Sequence, residues 1–382
     1  MNGHPEWFIV WVHAAHRWAF DMISRRALVL SGLSVSLVGA GGYALWPSLG
    51  GYNDVAKDQR RPMSAEPDLV ELVRFATLAA NGHNAQPWKF HLDAAKVSIL
   101  PDFTRRTQVV DPDDHHLFVS LGCAAENLSI AAHATGRSTN VSFGSGSQTK
   151  IDIALGKGPV RDMALQQAIL LRQSTRSEYD GQEISASEIN ILQAAAQQEG
   201  VSVLIFTEAS DREAILEFVV EANSAQMDDP AFVAELRNWI RLSPKQALAK
   251  PDGLFAACTG NPVAPAWIAE PLFGMFFQKD TENDKYRAQI RSSAGIAVFV
   301  GDTEDPEHWV KVGRSFQRFA LQSTALGIRN AHINQPIEVA QMRPEFARWL
   351  GMPNARPDLV VRFGRAPALP MSLRRPVAEV MI

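Results

Sequence analysis

Cysteine is scarce in this chain: Cys123 and Cys258 are its only 2 among 382 residues. Two thiols rule out a disulfide framework or a cysteine-rich metal centre, and they leave the redox compartment undecided. There is no His-Glu-x-x-His, no paired Cys-x-x-Cys and no Walker-type glycine loop. These absences argue against zinc hydrolases and nucleotide triphosphatases, and no metal is expected. Positive charge is not in surplus either. A formal net charge of -4 gives no basic field over the molecule, so nucleic acid is not an expected partner and any phosphate must be held locally. What is present is 46% apolar content, ample for a large core in a globular chain of two or three domains.

One stretch near the beginning differs in kind. Arg25 and Arg26 stand immediately before an uncharged, Gly/Ser-rich run from Ala27 to Leu45. A twin arginine followed by a weakly hydrophobic run resembles a twin-arginine export signal, with Ala27, Leu28 and Val29 where Phe and Lys are often found. The run is also just long enough to span a bilayer, and no clear Ala-x-Ala cleavage site follows. Residues 27–45 therefore read either as an export signal, giving a periplasmic protein, or as an uncleaved membrane tether. If Arg25-Arg26 is not a working signal, the chain is cytoplasmic. The stretch before the pair is long for a signal, which makes Met22 an alternative start to Met1.

After a polar linker, "GGYNDVAKDQRRPMSAEP", folded structure is expected from about Pro67, so residues 1–64 read as a targeting segment and linker. Leu69, Leu72, Val73 and Ala76 repeat at helical spacing, and "AAKVSIL" reads as a strand. A long buried helix follows from Asp113 or Asp114, with Leu117, Leu121, Leu128 and Ala132 as its stripe and Gly136 as its stop. His115 and His116 read as its solvated first turn. Two more strands close a first unit over 65–160. The second unit, 161–382, repeats the order. It has a helix, a basic turn, a helix opened by a Ser185/Glu188 capping box and ended by Gly200, and a strand. "GIAVFVGD" is the next strand; a long helix then carries Trp309, Val312, Phe316 and Phe319, and "DLVVRFG" ends the unit. Residues of about 223–291 interrupt it as an aromatic-rich insertion, either a lid over a site or a packing arm.

Two short stretches carry chemistry. In "NGHNAQPWKF", Pro87 ends any helix, Asn84 and Gln86 offer donors and acceptors, and Trp88 and Phe90 anchor one face of a strand; a helix-to-strand connection stapled by a core tryptophan is the competing reading. In "LLRQSTRSEY", Arg172, Ser174 and Arg176 alternate, so in an extended turn two guanidinium groups and a hydroxyl can converge on a small anion. An ordinary solvated basic turn is the competing reading. "SLRRPVAEV" adds Arg374 and Arg375 near the end.

Arg172-x-Ser174-x-Arg176 resembles the phosphate-binding opening of the flavin-dependent nitroreductase family, and "AANGHNAQPWKF" resembles its Ser-x-x-Asn-x-Gln-Pro-Trp loop. "ENLSIAAHATG" and "FALQSTALGIRNAHI" are similar to its long central helix, and the terminal "RRP" to its basic clamp. The resemblance covers about residues 65–382. It implies an α+β fold and an FMN site built between two subunits. Carried to this sequence, it implies phosphate contacts from Arg172, Ser174, Arg176, Arg374 and Arg375, and flavin contacts from Ala80, Asn81, Gly82 and Asn84. The backbone around Ile333, Asn334 and Gln335 would face the flavin N5 edge. The loop occurs only in the first unit and the clamp only in the second. The layout thus resembles the tandem, Acg-like branch, in which one chain of two related modules forms a monomeric pseudo-dimer with one complete site. The implied activity is two-electron transfer from a donor such as NAD(P)H to a nitro, quinone or similar small-molecule acceptor. No side-chain acid is assigned to catalysis. A flavin-holding protein with a lidded site is the alternative, and a membrane-tethered pseudo-dimer without cofactor is a third reading.

Overall fold

Two sets of β-rich segments build two four-stranded antiparallel sheets in the computed structural model, which describes residues 47–144 and 149–382. The signal or tether reading of residues 27–45 lies outside these residues, and among the described ones no helix is long and apolar enough to cross a membrane. The first sheet joins β1 (Trp88–Asp93), β2 (Lys96–Pro101), β3 (Arg137–Gly144) and β4 (Lys150–Lys157) in the order β1-β2-β4-β3. A short parallel pair, β6 (Ile240–Arg241) with β7 (Leu254–Phe255), follows β5 (Val201–Phe206) in the chain. The second sheet joins β5 to β8 (Gly295–Gly301), β9 (Arg329–His332) and β10 (Pro357–Gly364) in the order β5-β8-β10-β9. Within each half the sequence of neighbours is the same: first strand, second, fourth, third.

Helices fill the spaces between the strands. The early ones are α1 (Gly50–Gln59), α2 (Leu69–Thr77), α3 (His115–His133), α4 (Met163–Leu171) and α5 (Ala186–Ala195). A helical excursion between β5 and β8 holds α6 (Ala209–Asp228), α7 (Pro230–Trp239), α8 (Pro244–Ala249), α9 (Ala266–Phe276) and α10 (Lys279–Arg291). Then come α11 (Pro306–Ala325), α12 (Gln335–Glu338), α13 (Arg343–Trp349) and α14 (Val377–Val380). In each half one long helix, α3 or α11, follows the second strand, and these two cross at the centre. α3 is buried on nearly every face, its polar Glu126 and Asn127 included. The crossing is close and reciprocal. A Cβ on Gly122 would lie 2.1 Å from the Val310 carbonyl oxygen, and one on Gly313 would lie 2.0 Å from that of Val119. Each helix thus presents a Val-x-x-Gly to the other, the self-complementary contact that a two-fold axis generates.

The core runs from α2 and β1 through α3 and α11 to β8 and β10. Trp309, Val312, Phe316 and Phe319 all lie in it. The Ser185/Glu188 capping box forms at the start of α5, and Gly136 and Gly200 take φ of +73° and +79° at their turns.

Two expectations are corrected. The stretch read as a polar linker forms α1, whose only buried residues are Tyr52 and Ala56; with Val55 exposed, two buried positions in ten are too few to show a periodic stripe. His115 is not solvated. It is buried, with Nε2 2.7 Å from Asp358 Oδ1, because β10 covers the start of α3, a contact that only tertiary structure supplies. Asp114 stands at the N-cap of α3, as expected, but its side chain makes no cap bond; the Asp111 carboxylate instead accepts the N–H groups of His116 and Leu117, both at 3.0 Å.

Candidate functional site

α2 ends at Thr77, and the chain then turns through three left-handed non-glycine residues, His83 (φ 51°), Asn84 (φ 54°) and Gln86 (φ 54°). Such conformations persist only where surrounding bonds over-determine them. Here they do. The Gln86 N–H donates to Asn81 Oδ1 (2.8 Å), and Gln86 Nε2 donates to Pro251 O (2.9 Å). Asn84 Nδ2 donates to the carbonyls of Gly253 (3.1 Å) and Leu373 (3.2 Å), and its Oδ1 accepts from Arg374 Nη1 (2.8 Å). The polar residues of the loop therefore fasten it to the excursion and to the C-terminal segment. At its start, the Ala80 N–H donates to Gln317 Oε1 of α11 (3.3 Å), tying the loop to the central crossing.

The basic turn leaves α4 at Leu171 and runs beside β9. The Thr175 N–H donates to Asn330 O (2.9 Å), and Arg362 of β10 donates to the carbonyls of Thr175 (3.2 Å) and Ser177 (2.8 Å). Residues on both sides of Arg176 are thereby fixed.

Loop and turn meet in one cleft with about 540 Å³ of space between its atoms, part of it open to solvent. Ala80, Asn81 and Asn84 line it from the first half, and Arg172, Ser174, Arg176 and Arg374 from the second. Leu254, Phe255, Cys258 and Thr259 of the excursion form a further wall, and Arg60 enters from the end of α1. Among the described residues no carboxylate forms an ion pair with Arg60, Arg172, Arg176 or Arg374. Burial pulls Arg172 and Arg60 down to about 10, with Arg172 adding repulsion at Arg60; Arg374 is lowered too, by burial and then by Arg60 and Arg172. The Nε atoms of Arg60 and Arg172 are buried without a partner. Two buried cations, Arg172 and Arg374, and two half-buried ones, Arg60 and Arg176, with no counter-ion and some open donors, suit a small polyanion such as a terminal phosphate.

The arginines are not equivalent. Arg374 is engaged by the protein: Nε donates to Thr77 O (2.7 Å), Nη1 to Asn84 Oδ1, and Nη2 to Ala79 O (3.1 Å). It caps the end of α2 and brings charge rather than open donors. Arg172 shares that work through Nη2 to Leu78 O (3.1 Å), whereas the Arg176 guanidinium has no hydrogen bond or ion pair among the described residues.

The other expected site residues are not among those lining this cleft. Arg375 turns away from the cleft towards Asp102 and Glu379, with N···O separations of 3.9 and 3.6 Å. Consecutive residues of an extended segment point to opposite sides, so one arginine of the pair faces the cleft and the other does not. Gly82 lies outside the lining, its N–H donating to Ser120 Oγ (3.2 Å). Ile333 and Asn334 are bound to β10: the Ile333 N–H donates to Val360 O (2.8 Å), and Asn334 Oδ1 accepts from the Val360 N–H (2.9 Å). Gln335 is buried at the start of α12.

Beyond Arg176 lies a set of titratable groups that sequence reading does not single out. Burial, then Arg176 and His116, holds His83 down to about 4, and burial with the same neighbours holds His332 down to about 3. Burial raises Glu338, whose Oε2 accepts from Gln226 Nε2 of the excursion (2.8 Å). His83 lies within the loop itself, between Gly82 and Asn84. Arg60 gave no local signal, since it sits among ordinary surface charges.

No family model matches the chain. Over 335 residues it is 24% identical to a "Putative NAD(P)H nitroreductase" of Mycobacterium tuberculosis, found alike in two strains, covering 82% of this chain and 92% of that protein. Similar solved structures include the FMN-dependent nitroreductase NfnB of Mycobacterium smegmatis in complex with NADPH, at 15% identity and a TM-score of 0.37, covering 53% of this chain and 87% of that one. A "putative nitroreductase" of Anabaena variabilis is 10% identical with a TM-score of 0.39, covering 82% and 91%.

Proposed function

We propose that this chain is a flavin-dependent oxidoreductase of the nitroreductase type, holding one FMN in the cleft between its two halves. The observation that carries the reading is the convergence of Arg172, Ser174 and Arg176 from one half with Ala80, Asn81 and Asn84 from the other. The sequence likeness to an NAD(P)H nitroreductase, which runs over most of both chains, supports it. The matching strand orders and the reciprocal glycine crossing support two related modules that stand in for the subunits of a dimer, so the chain would act as a monomeric pseudo-dimer.

Bound there, FMN would supply hydride acceptance from NAD(P)H and two-electron delivery to a nitro, quinone or similar acceptor. The residues have separable tasks. Arg176, Arg172 and the Ser174 hydroxyl bind the phosphate; Arg374 and Asn84 hold the loop in place; Arg362 orients Arg176 through the flanking carbonyls. Neutral histidines beyond Arg176 leave the positive charge concentrated on the arginines.

The excursion supplies a wall of the same cleft, which keeps a second reading in play: a protein that holds flavin and does not turn over. The proposal also retains export or tethering through residues 27–45. The test is to load the full chain with FMN, record its visible spectrum, and add NADH or NADPH without oxygen. Bleaching, and recovery on adding a nitroaromatic or quinone, supports the enzyme. A bound flavin that does not bleach supports the holding protein, and failure to bind FMN overturns both.

A further inference from the structure

Helix α1 makes more contacts around the cleft than a tether to a preceding segment requires. Its Tyr52 hydroxyl donates to Met371 O (2.7 Å) and lies 3.2 Å from Cys258 Sγ. Gln59 forms a two-bond clip on the clamp segment: its Nε2 donates to Arg374 O (2.6 Å), and its Oε1 accepts the Arg374 N–H (2.8 Å). The Gln59 carbonyl accepts from Arg74 Nη1 of α2 (2.9 Å), the helix that leads into the loop. Arg60 then enters the cleft, with Nη2 donating to Ser372 O (2.8 Å) and Nη1 to Ala56 O (3.4 Å).

These contacts do not explain Arg60 by themselves. A guanidinium whose partners are backbone carbonyls, whose Nε is buried without a partner, and whose charge is opposed by Arg172 loses free energy on burial unless an anion joins it. The packing of α1 rests on Tyr52 and Ala56, which join Ala247, Phe255 and Leu373 in a small cluster. α1 is a ten-residue helix with two buried side chains, too short and too little buried to be rigid alone.

We propose that α1 is part of the anion site, with Arg60 as a direct ligand of a phosphate monoester, and that the bound phosphate and the docked α1 hold each other in place. This rests on the reading of the cleft as an FMN site and adds a ligand from a segment outside both sheet modules. By linkage, whatever binds only when α1 is docked must also favour the docked helix. Phosphate should therefore tighten α1, and a flavin lacking the phosphate should not.

The experiment uses the full chain and two ligands, FMN and riboflavin. Trypsin cleavage after Lys57 and Arg60, followed by mass analysis, reads the docking of α1; Arg61 precedes Pro62 and is a poor site. FMN should slow these cleavages at least about tenfold, and riboflavin at the same occupancy should leave them unchanged. In Arg60→Ala, FMN affinity read from flavin fluorescence should fall about tenfold or more, riboflavin affinity should not change, and FMN protection should disappear. Equal protection by the two ligands, no protection by bound FMN, or native FMN affinity in a folded Arg60→Ala overturns the proposal. The protection comparison on the unaltered chain needs no variant, so it decides the point even if Arg60→Ala does not fold. If the unaltered chain binds no FMN, the reading of the cleft itself has failed.

Discussion

At the residue scale the four cleft arginines divide by what already occupies their donors. The Arg176 guanidinium has no hydrogen bond or ion pair among the described residues, and Gln289 bonds only the Arg176 carbonyl, so removing the side chain should be felt by the ligand and little by the fold. Arg176→Ala is expected to weaken FMN binding about tenfold to a hundredfold, from a lost charge-assisted bond of about 1.5–3 kcal/mol, while the ligand-free melting temperature stays within a degree or two. Arg374 should behave differently, because its guanidinium caps the carbonyls that end α2. Arg374→Ala should lower the melting temperature of the ligand-free protein as well as FMN affinity, with about 1–3 kcal/mol for each buried acceptor left unpaired. Its neighbour is the control: Arg375→Ala should leave FMN affinity within about twofold, since that side chain lies towards Asp102 and Glu379. Equal effects at 374 and 375 would contradict this division. The Arg-x-Ser-x-Arg turn and the Asn-x-Gln-Pro loop were legible because each is a local pattern of polar groups. The difference between Arg374 and Arg375 was not, because it depends on which side of an extended segment meets α2.

At the scale of elements, the crossing of α3 and α11 fixes the distance between loop and turn. Gly122 and Gly313 permit it, and each would place a Cβ within about 2 Å of a backbone oxygen on the other helix. Gly313→Ala is therefore expected to destabilise by about 1–3 kcal/mol or more, read as a lower denaturation midpoint, and to weaken FMN binding by spreading the two halves. Gly51→Ala is the matched control. It lies within α1 with nothing within 4 Å of an added Cβ, so it should be neutral or stabilising by up to about 1 kcal/mol. A Gly313→Ala protein as stable as that control would contradict the close crossing. The two long helices were legible from their apolar periodicity, and α5 from its capping box. α1 was not, since Tyr52 and Ala56 acquire meaning only against Phe255, whose ring centroid lies 4.7 Å from that of Tyr52. The excursion was legible as an interruption, and its contribution of a cleft wall was not.

At the scale of the whole molecule, one buried histidine, His115, and three half-buried ones, His83, His116 and His332, set the response to acid. Burial holds His83 down to about 4 and His115 and His332 down to about 3, and it lowers His116 as well. In the unfolded chain these groups take protons near 6.5. A depressed folded value means that stability is full above about 6.5 and is lost as pH falls towards the folded values, because the unfolded state then binds more protons. Asp358, pushed up to about 7 by burial, and Glu338, also raised by burial, act in the opposite sense, two groups against four. The melting temperature should accordingly fall as pH is lowered from 7 to 5, and His332→Gln should reduce the slope; a flat or rising profile would contradict the account. None of this was legible in the sequence, where His115 and His116 read as surface residues. The repeated order of elements was legible, and with it the expectation that complementary pieces from two halves serve one site. The most direct test of that claim is the flavin content of the full chain, incubated with excess FMN, freed of unbound ligand, and analysed by denaturing release and mass. One FMN per chain is expected, falling to nearly none in Arg172→Ala/Arg176→Ala with the fold intact. Two FMN per chain, or undiminished binding in that double variant, would contradict a single site built from both halves.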